Sequence, residues 1–207
     1  MQRTLYRLGW GMMTAFAAYL FGITALYFSF RSDINFLLEK QELVFNVFWR
    51  TAFYIHITGG MLAILIGPFQ FLKPIRRKRM GLHKRLGKIY IGAILFLAGP
   101  SGLYMAFHAE GGLVGCLGFT VMSLLWLWTT YRAYETIRQR DYNGHVRWIT
   151  RSYALSFAAV TLRLYVPLAS WVLDLPEDFV VTSSAWISWI PNLIVAELIL
   201  KFAPHRL

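Results

Sequence analysis

Lys73-Pro74-Ile75-Arg76-Arg77-Lys78-Arg79-Met80-Gly81-Leu82-His83-Lys84-Arg85-Leu86-Gly87-Lys88 holds eight basic residues and no acid. It separates two apolar runs, each long enough to cross a bilayer, and a short basic turn between two spans stays in the cytoplasm. Placing this turn sets the direction of every apolar run before and after it, and so sorts the histidines by membrane face. The composition agrees with a polytopic membrane protein. Of 207 residues, 57% are hydrophobic and 15% charged, against roughly 25% charged in soluble domains, and the mean hydropathy is +0.48. The net charge of +11 does not point to nucleic acid. The cations flank apolar runs, where they act as topology signals and contacts to anionic lipid. Cys116 is the single cysteine, which excludes an intrachain disulfide and a Cys–Cys metal site.

Hydropathy predicts an all-α bundle of six transmembrane helices, roughly 8–30, 48–72, 83–108, 113–134, 145–173 and 179–202, as one domain with both termini cytoplasmic. The first apolar run is too long for a signal peptide and reads as a retained span. On this layout 16 of the 21 basic residues fall inside, and only Arg31, Lys40 and Arg50 fall outside. Seven of the ten acids fall outside. The location implied is the bacterial cytoplasmic (inner) membrane. Gly9, Gly11, Ala15, Ala17 and Ala18 offer a small-residue face for another helix. Residues 31–46 read as an amphipathic outer segment lying in the interface. Pro68 is expected to kink the second helix, and Gly99-Pro100-Ser101-Gly102 to break the third. Trp126, Trp128, Tyr131 and Tyr134 read as an aromatic belt at the inner end of the fourth helix.

Polar side chains within spans carry the functional signal, because each needs a partner in hydrocarbon. His83 opens the third helix and His145 the fifth, both on the inner side. His108 ends the third helix outside, and His56 lies about 10 Å below Trp49. Two imidazoles from neighbouring helices are an axial ligand set for b-type haem, so His83/His145 form an inner candidate pair and His56/His108 an outer one. Solvated or headgroup-bonded roles are the alternative, and His205 near the carboxyl end reads as solvated. Arg151 lies close enough to the inner face to snorkel. Arg163, about 18 Å further along the fifth helix, lies near the depth of His56 and needs an anion or several carbonyl acceptors. A haem propionate, a lipid phosphate, a quinone oxygen or an acid would serve, and snorkelling outward is the alternative. Glu197 pairs with Arg151 or with Lys201, or carries protons. Asn192 is placed to bond the carbonyl freed by Pro191. Tyr54, Tyr90, Tyr104, Tyr153 and Tyr165 make helices 2, 3 and 5 the polar-bearing set. No His-Glu-x-x-His or Gly-x-Ser-x-Gly pattern occurs. Ser101 with His56 is the nearest approach to a serine–histidine pair.

The ordered run of His56, Gly67-Pro68-Phe69-Gln70, His83-Lys84-Arg85-Leu86-Gly87-Lys88-Ile89-Tyr90, His145-Val146-Arg147-Trp148-Ile149-Thr150-Arg151-Ser152-Tyr153-Ala154-Leu155 and Thr161-Leu162-Arg163-Leu164 resembles the bacterial predicted membrane proteins grouped as domain of unknown function twenty-three-oh-six. The resemblance covers roughly residues 53–168. It implies that His56, His83, His145, Arg151 and Arg163 belong to a shared pattern, and it implies no activity. A looser similarity is to transmembrane b-type cytochromes, which place paired histidines at two depths.

Three functions fit this reading. The first is an electron-transfer protein binding haem b through His83, His145, His56 and His108, exchanging electrons with quinone or a redox partner. The second is an accessory or lipid-binding subunit among other membrane subunits. The third is a transporter of protons or small molecules, with His56, Arg163 and Glu197 along its path.

Overall fold

The computed structural model describes residues 2–202, without the side chains of residues 2–7 and Asn35. His205 and Arg206, expected at the inner end, lie outside the described residues. The described chain is helical, with six helices long and apolar enough to cross a membrane: Leu8–Ser29, Val47–Gln70, Met80–Ala106, Gly112–Arg138, Tyr142–Val172 and Glu177–Phe202. They are called the first to sixth spans. The face carrying Lys73–Lys88 is called the basic face, and the opposite one the acidic face. Large apolar side chains such as Phe96, Leu113 and Trp171 are mostly exposed, the pattern expected of a chain whose surroundings are hydrocarbon.

The span ends differ from the sequence expectation by a few residues, and each difference has a local cause. Asn46 accepts hydrogen bonds from the N–H groups of Phe48 and Trp49 at 3.0 and 3.2 Å, starting the second span. The third span begins at Met80, so His83 lies within it, and half of the basic turn is itself a short helix, Lys73–Lys78. The fourth span runs one turn past the expected end, to Arg138. Asp141 then accepts from the Gly144 N–H at 2.8 Å and caps the fifth. Gly111, at φ 82°, makes the tight turn into the fourth span.

Three spans are irregular. In the third, the ladder widens to a π-turn over Ala93–Ala98 before a helix resumes at Gly99, so the break precedes Gly99-Pro100. The fifth ends in a second π-turn, Leu168–Val172. The sixth is interrupted between Ile187 and Ile190. Asn192 does not bond the carbonyl of Ile187, which Pro191 leaves without its usual donor. Its Nδ2 donates to the Ser188 carbonyl at 3.0 Å, and its Oδ1 accepts from Thr161 at 3.0 Å.

The core gathers Ile64, Tyr90, Ile94, Ala98, Trp126 and Tyr153 from the second to fifth spans. Close approach is set at a few glycines. A Cβ on Gly59 would lie 2.8 Å from the Ala98 nitrogen in the π-turn, and one on Gly118 2.8 Å from Ala185 of the sixth span. The small residues of the first span do not play this part. Gly9 and Gly11 face open space, and of the five only Ala17 is buried. Trp126 is 6% exposed and belongs to the core, whereas Trp128, Tyr131 and Tyr134 stay exposed.

On the acidic face, Asn35–Lys40 and Gln41–Val44 form two short helical pieces. Their Leu37 and Val44 pack into a cluster with Tyr27, Trp49, Phe53 and Ile57, closing that end of the bundle. Lys40, 6% exposed, pairs with Glu110 at 2.6 Å. The first connection is thereby tied to the turn between the third and fourth spans.

Candidate functional site

At the basic face, His83 is three residues past Met80 and His145 three past Tyr142, the starts of their spans. Seven residues further along each helix, two turns, Tyr90 and Ser152 meet through their hydroxyls at 2.9 Å. Both spans leave the same face, so the two histidines lie at one level, two turns from that contact. The two imidazoles are close enough to interact electrostatically. Nδ1 of His145 lies 2.8 Å from the Ala133 carbonyl. A carbonyl only accepts, so that nitrogen carries the proton and Nε2 keeps a free lone pair.

Around this pair, some polar atoms are buried without partners. Nδ1 of His83 and Nε2 of Gln70 make no hydrogen bond, and Arg132, whose Nε makes none, pairs through Nη1 with Glu135. Gln70 is 8% exposed, and its Oε1 would be 3.4 Å from a Cβ on Gly87, one turn past His83. Arg76 adds a positive charge that acts on His83. Beside this cluster Arg151 reaches back toward the basic face. It forms a two-bond pair with Glu197 at 2.5 and 2.9 Å and lies 4.8 Å from the Trp148 ring. Glu197 therefore takes Arg151 rather than Lys201.

Above the pair runs a buried hydroxyl network that sequence reading did not single out. Tyr90 also bonds Ser156 at 3.0 Å, Trp126 Nε1 donates to Ser156 at 3.0 Å, and Thr130 meets Ser152 at 2.7 Å. Its signal in sequence is the i,i+4 spacing of Ser152 with Ser156 and of Trp126 with Thr130, which puts each pair on one helix face.

A second polar layer lies deeper. His56 is nine residues from Val47, and Arg163 nine from Val172, both span ends at the acidic face, so each sits about 14 Å down. His56 Nδ1 lies 2.8 Å from the Ala98 carbonyl at the end of the π-turn. Its ring passes over Gly102, where a Cβ would stand 2.8 Å away, and meets Trp126 edge-on at 6.5 Å. Ser101 bonds the Leu97 carbonyl at 2.5 Å, so no serine–histidine pair forms. Arg163 does not snorkel outward. Its Nη1 donates to the Ala159 carbonyl one turn back, at 3.1 Å. It acts electrostatically on His56 and Tyr27, and the described residues give it no ion pair.

His108 is not brought to His56. Its Nδ1 faces the Tyr104 carbonyl of its own helix at 3.2 Å, its ring lies 4.9 Å from that of Tyr104, and its carbonyl accepts from Lys40. Among the described residues no three His, Cys, Asp or Glu side chains gather as a metal site.

The family described as Predicted membrane protein (DUF2306) matches this chain over residues 53–200. The chain belongs to that family. The DUF2306 match takes in His56, Gln70, His83, His145, Arg151, Arg163 and Glu197, and reaches through the sixth span. It leaves the first span and the segment Asn35–Lys40 outside. No curated protein and no solved structure matches the chain.

Proposed function

We propose that this DUF2306 protein is an electron-transfer protein of the bacterial cytoplasmic membrane, holding a b-type haem between His83 and His145 with the basic face toward the cytoplasm. The observation that carries the reading is the placement of these two histidines at one level of separate spans that meet through Tyr90 and Ser152 two turns on. His145 is held by Ala133 in the tautomer that leaves Nε2 free for iron. Two histidines would suffice to hold a haem iron, whereas a zinc site takes three or four protein ligands. The unpartnered Gln70 Nε2 is a donor suited to a propionate oxygen. When bound, the haem supplies one-electron chemistry. His83 and His145 would hold the iron, and Gln70 would bond a propionate.

The test is the absorption spectrum of protein purified from a haem-replete host. The reading expects a Soret band and a reduced α-band, both abolished by His83→Ala or His145→Ala and retained in His108→Ala. Colourless, haem-free wild-type protein refutes it. Stable co-purification of such protein with other membrane subunits would then favour an accessory role.

A further inference from the structure

We propose that a lipid-facing cleft beside the end of the first span binds one anionic phospholipid of the leaflet on the acidic face, with the phosphate on Arg50 and an acyl chain in the cleft. The cleft, of about 360 Å³, is lined by Phe30, Thr51, Tyr54, Ile55, Thr58 and Leu97. Its four second-span residues follow the i, i+3, i+4, i+7 spacing, so they form one stripe down a single helix face. The second span has 24 residues, about 36 Å against a hydrocarbon layer of about 30 Å. Arg50 is three residues past Val47, the end of that span, and so sits at the boundary where lipid phosphates lie. The stripe from Thr51 to Thr58 descends about 10 Å, most of one leaflet's roughly 15 Å.

Charge and hydrogen bonding name the occupant. On the acidic face Arg31 pairs with Asp33 and Lys40 with Glu110. Arg50 has no ion pair among the described residues. Its Nη2 donates to the Phe30 carbonyl at 3.0 Å, and its guanidinium stands 6.0 Å from the Tyr54 ring. Both contacts are with residues that line the cleft, so they hold the cation at its mouth. The other guanidinium N–H groups remain for a phosphate. Deeper down, the hydroxyls are satisfied within the protein. Thr58 donates to the Tyr54 carbonyl at 2.7 Å, and the Tyr54 hydroxyl to the Tyr27 carbonyl at 3.2 Å. A groove with a cation at its mouth and no spare donor below suits a charged head with a hydrocarbon tail. A lipid whose headgroup adds no cation of its own leaves its phosphate free to neutralise Arg50.

The test is photolabelling of the purified full chain in detergent by a phosphatidylglycerol with a mid-chain diazirine, the labelled residues being located by mass spectrometry. Labelling of residues 51–58 and Leu97 should saturate with lipid and fall under excess unlabelled phosphatidylglycerol. It should resist the same excess of phosphatidylcholine or of inorganic phosphate. The half-saturating lipid concentration should rise at least fivefold in Arg50→Gln. Thr58→Trp fills the cleft and leaves Arg50 in place, and should raise it several-fold. Where Arg50→Gln fails to fold, Arg50→Lys serves. It keeps the charge, loses the forked donor, and should weaken binding about twofold. Labelling that never saturates marks ordinary surrounding lipid and overturns the assignment. So does unchanged affinity in a folded Arg50 variant or in Thr58→Trp, or equal displacement by phosphatidylcholine or inorganic phosphate. The cleft is at the opposite face from His83 and His145, and none of these readings involves haem.

Discussion

Gly67→Ala tests the packing that brings the second span onto the fifth. A Cβ at Gly67 would fall 1.7 Å from Cε2 of Tyr153, and ordinary carbon contacts begin near 3.5 Å, so the ring must move by about 2 Å. It has little room to do so. Tyr153 is 5% exposed, with Phe71, Tyr90 and Phe157 rings at 5.5, 6.4 and 6.3 Å. Its hydroxyl donates to the Ile64 carbonyl at 3.3 Å. Losing that bond costs about 1 kcal/mol and overpacking about 1–3 kcal/mol, which together make about 2–4 kcal/mol. The assay is unfolding in detergent followed by far-UV circular dichroism. Gly60→Ala is the control, because a Cβ there meets nothing within 4 Å; it should stabilise by about 0.5–1 kcal/mol. In a Tyr153→Ala background the Gly67→Ala change should cost under about 1 kcal/mol, a coupling that only contact between the two produces. Gly67→Ala as stable as wild type, or an equal loss in both backgrounds, refutes the packing described.

Other perturbations separate the remaining claims. Glu110→Ala should destabilise more than Lys40→Met, as thermal unfolding would show, because Lys40 is buried and Glu110 is half-exposed: an unpaired Glu110 hydrates, whereas an unpaired Lys40 stays enclosed. Glu197→Gln should lower thermal stability, because it weakens the two-bond pair with Arg151; a double-mutant cycle with Arg151→Met in which the two changes add would deny the contact. Burial, then Glu110, raises the Glu39 carboxyl above its ordinary range. Its penalty is absent in acid and appears as pH rises from the ordinary carboxylate range through the raised value, so Glu39→Gln should stabilise at pH 7 and not at pH 4. In a Cys116→Ser background, a cysteine at Lys78 should react with a membrane-impermeant maleimide only after cells are opened, and one at Asp174 in intact cells; the reverse pattern would invert the proposed orientation.

Much of the site's vertical arrangement is readable from the chain alone. His83 and His145 each follow a run of polar residues at the start of an apolar span, so their common height needs only the rise per residue. The same count puts His56 and Arg163 at one depth. Rotation about each helix axis is not readable in this way. Trp126 and Trp128 look alike in a belt of aromatics, yet one bonds Ser156 inside the bundle and the other faces outward. His56 and His108 both look like outer ligands, but the helix of the third span ends at Ala106, and His108, in the turn beyond it, folds back onto Tyr104. Glu197 has two basic candidates by spacing. The packing of the sixth span on the fifth selects Arg151.

Hydropathy and charge by themselves determined that this is a six-span helical membrane protein, because transfer into hydrocarbon depends on the sum over a segment and hardly on its neighbours. Tertiary structure alone decided which polar groups meet. Those choices depend on crossing geometry and on close approach at Gly59, Gly67 and Gly118, and on the π-turn that ends at Ala98, the partner of His56. A contact between two helices is a property of both surfaces at once, and neither segment's sequence contains it.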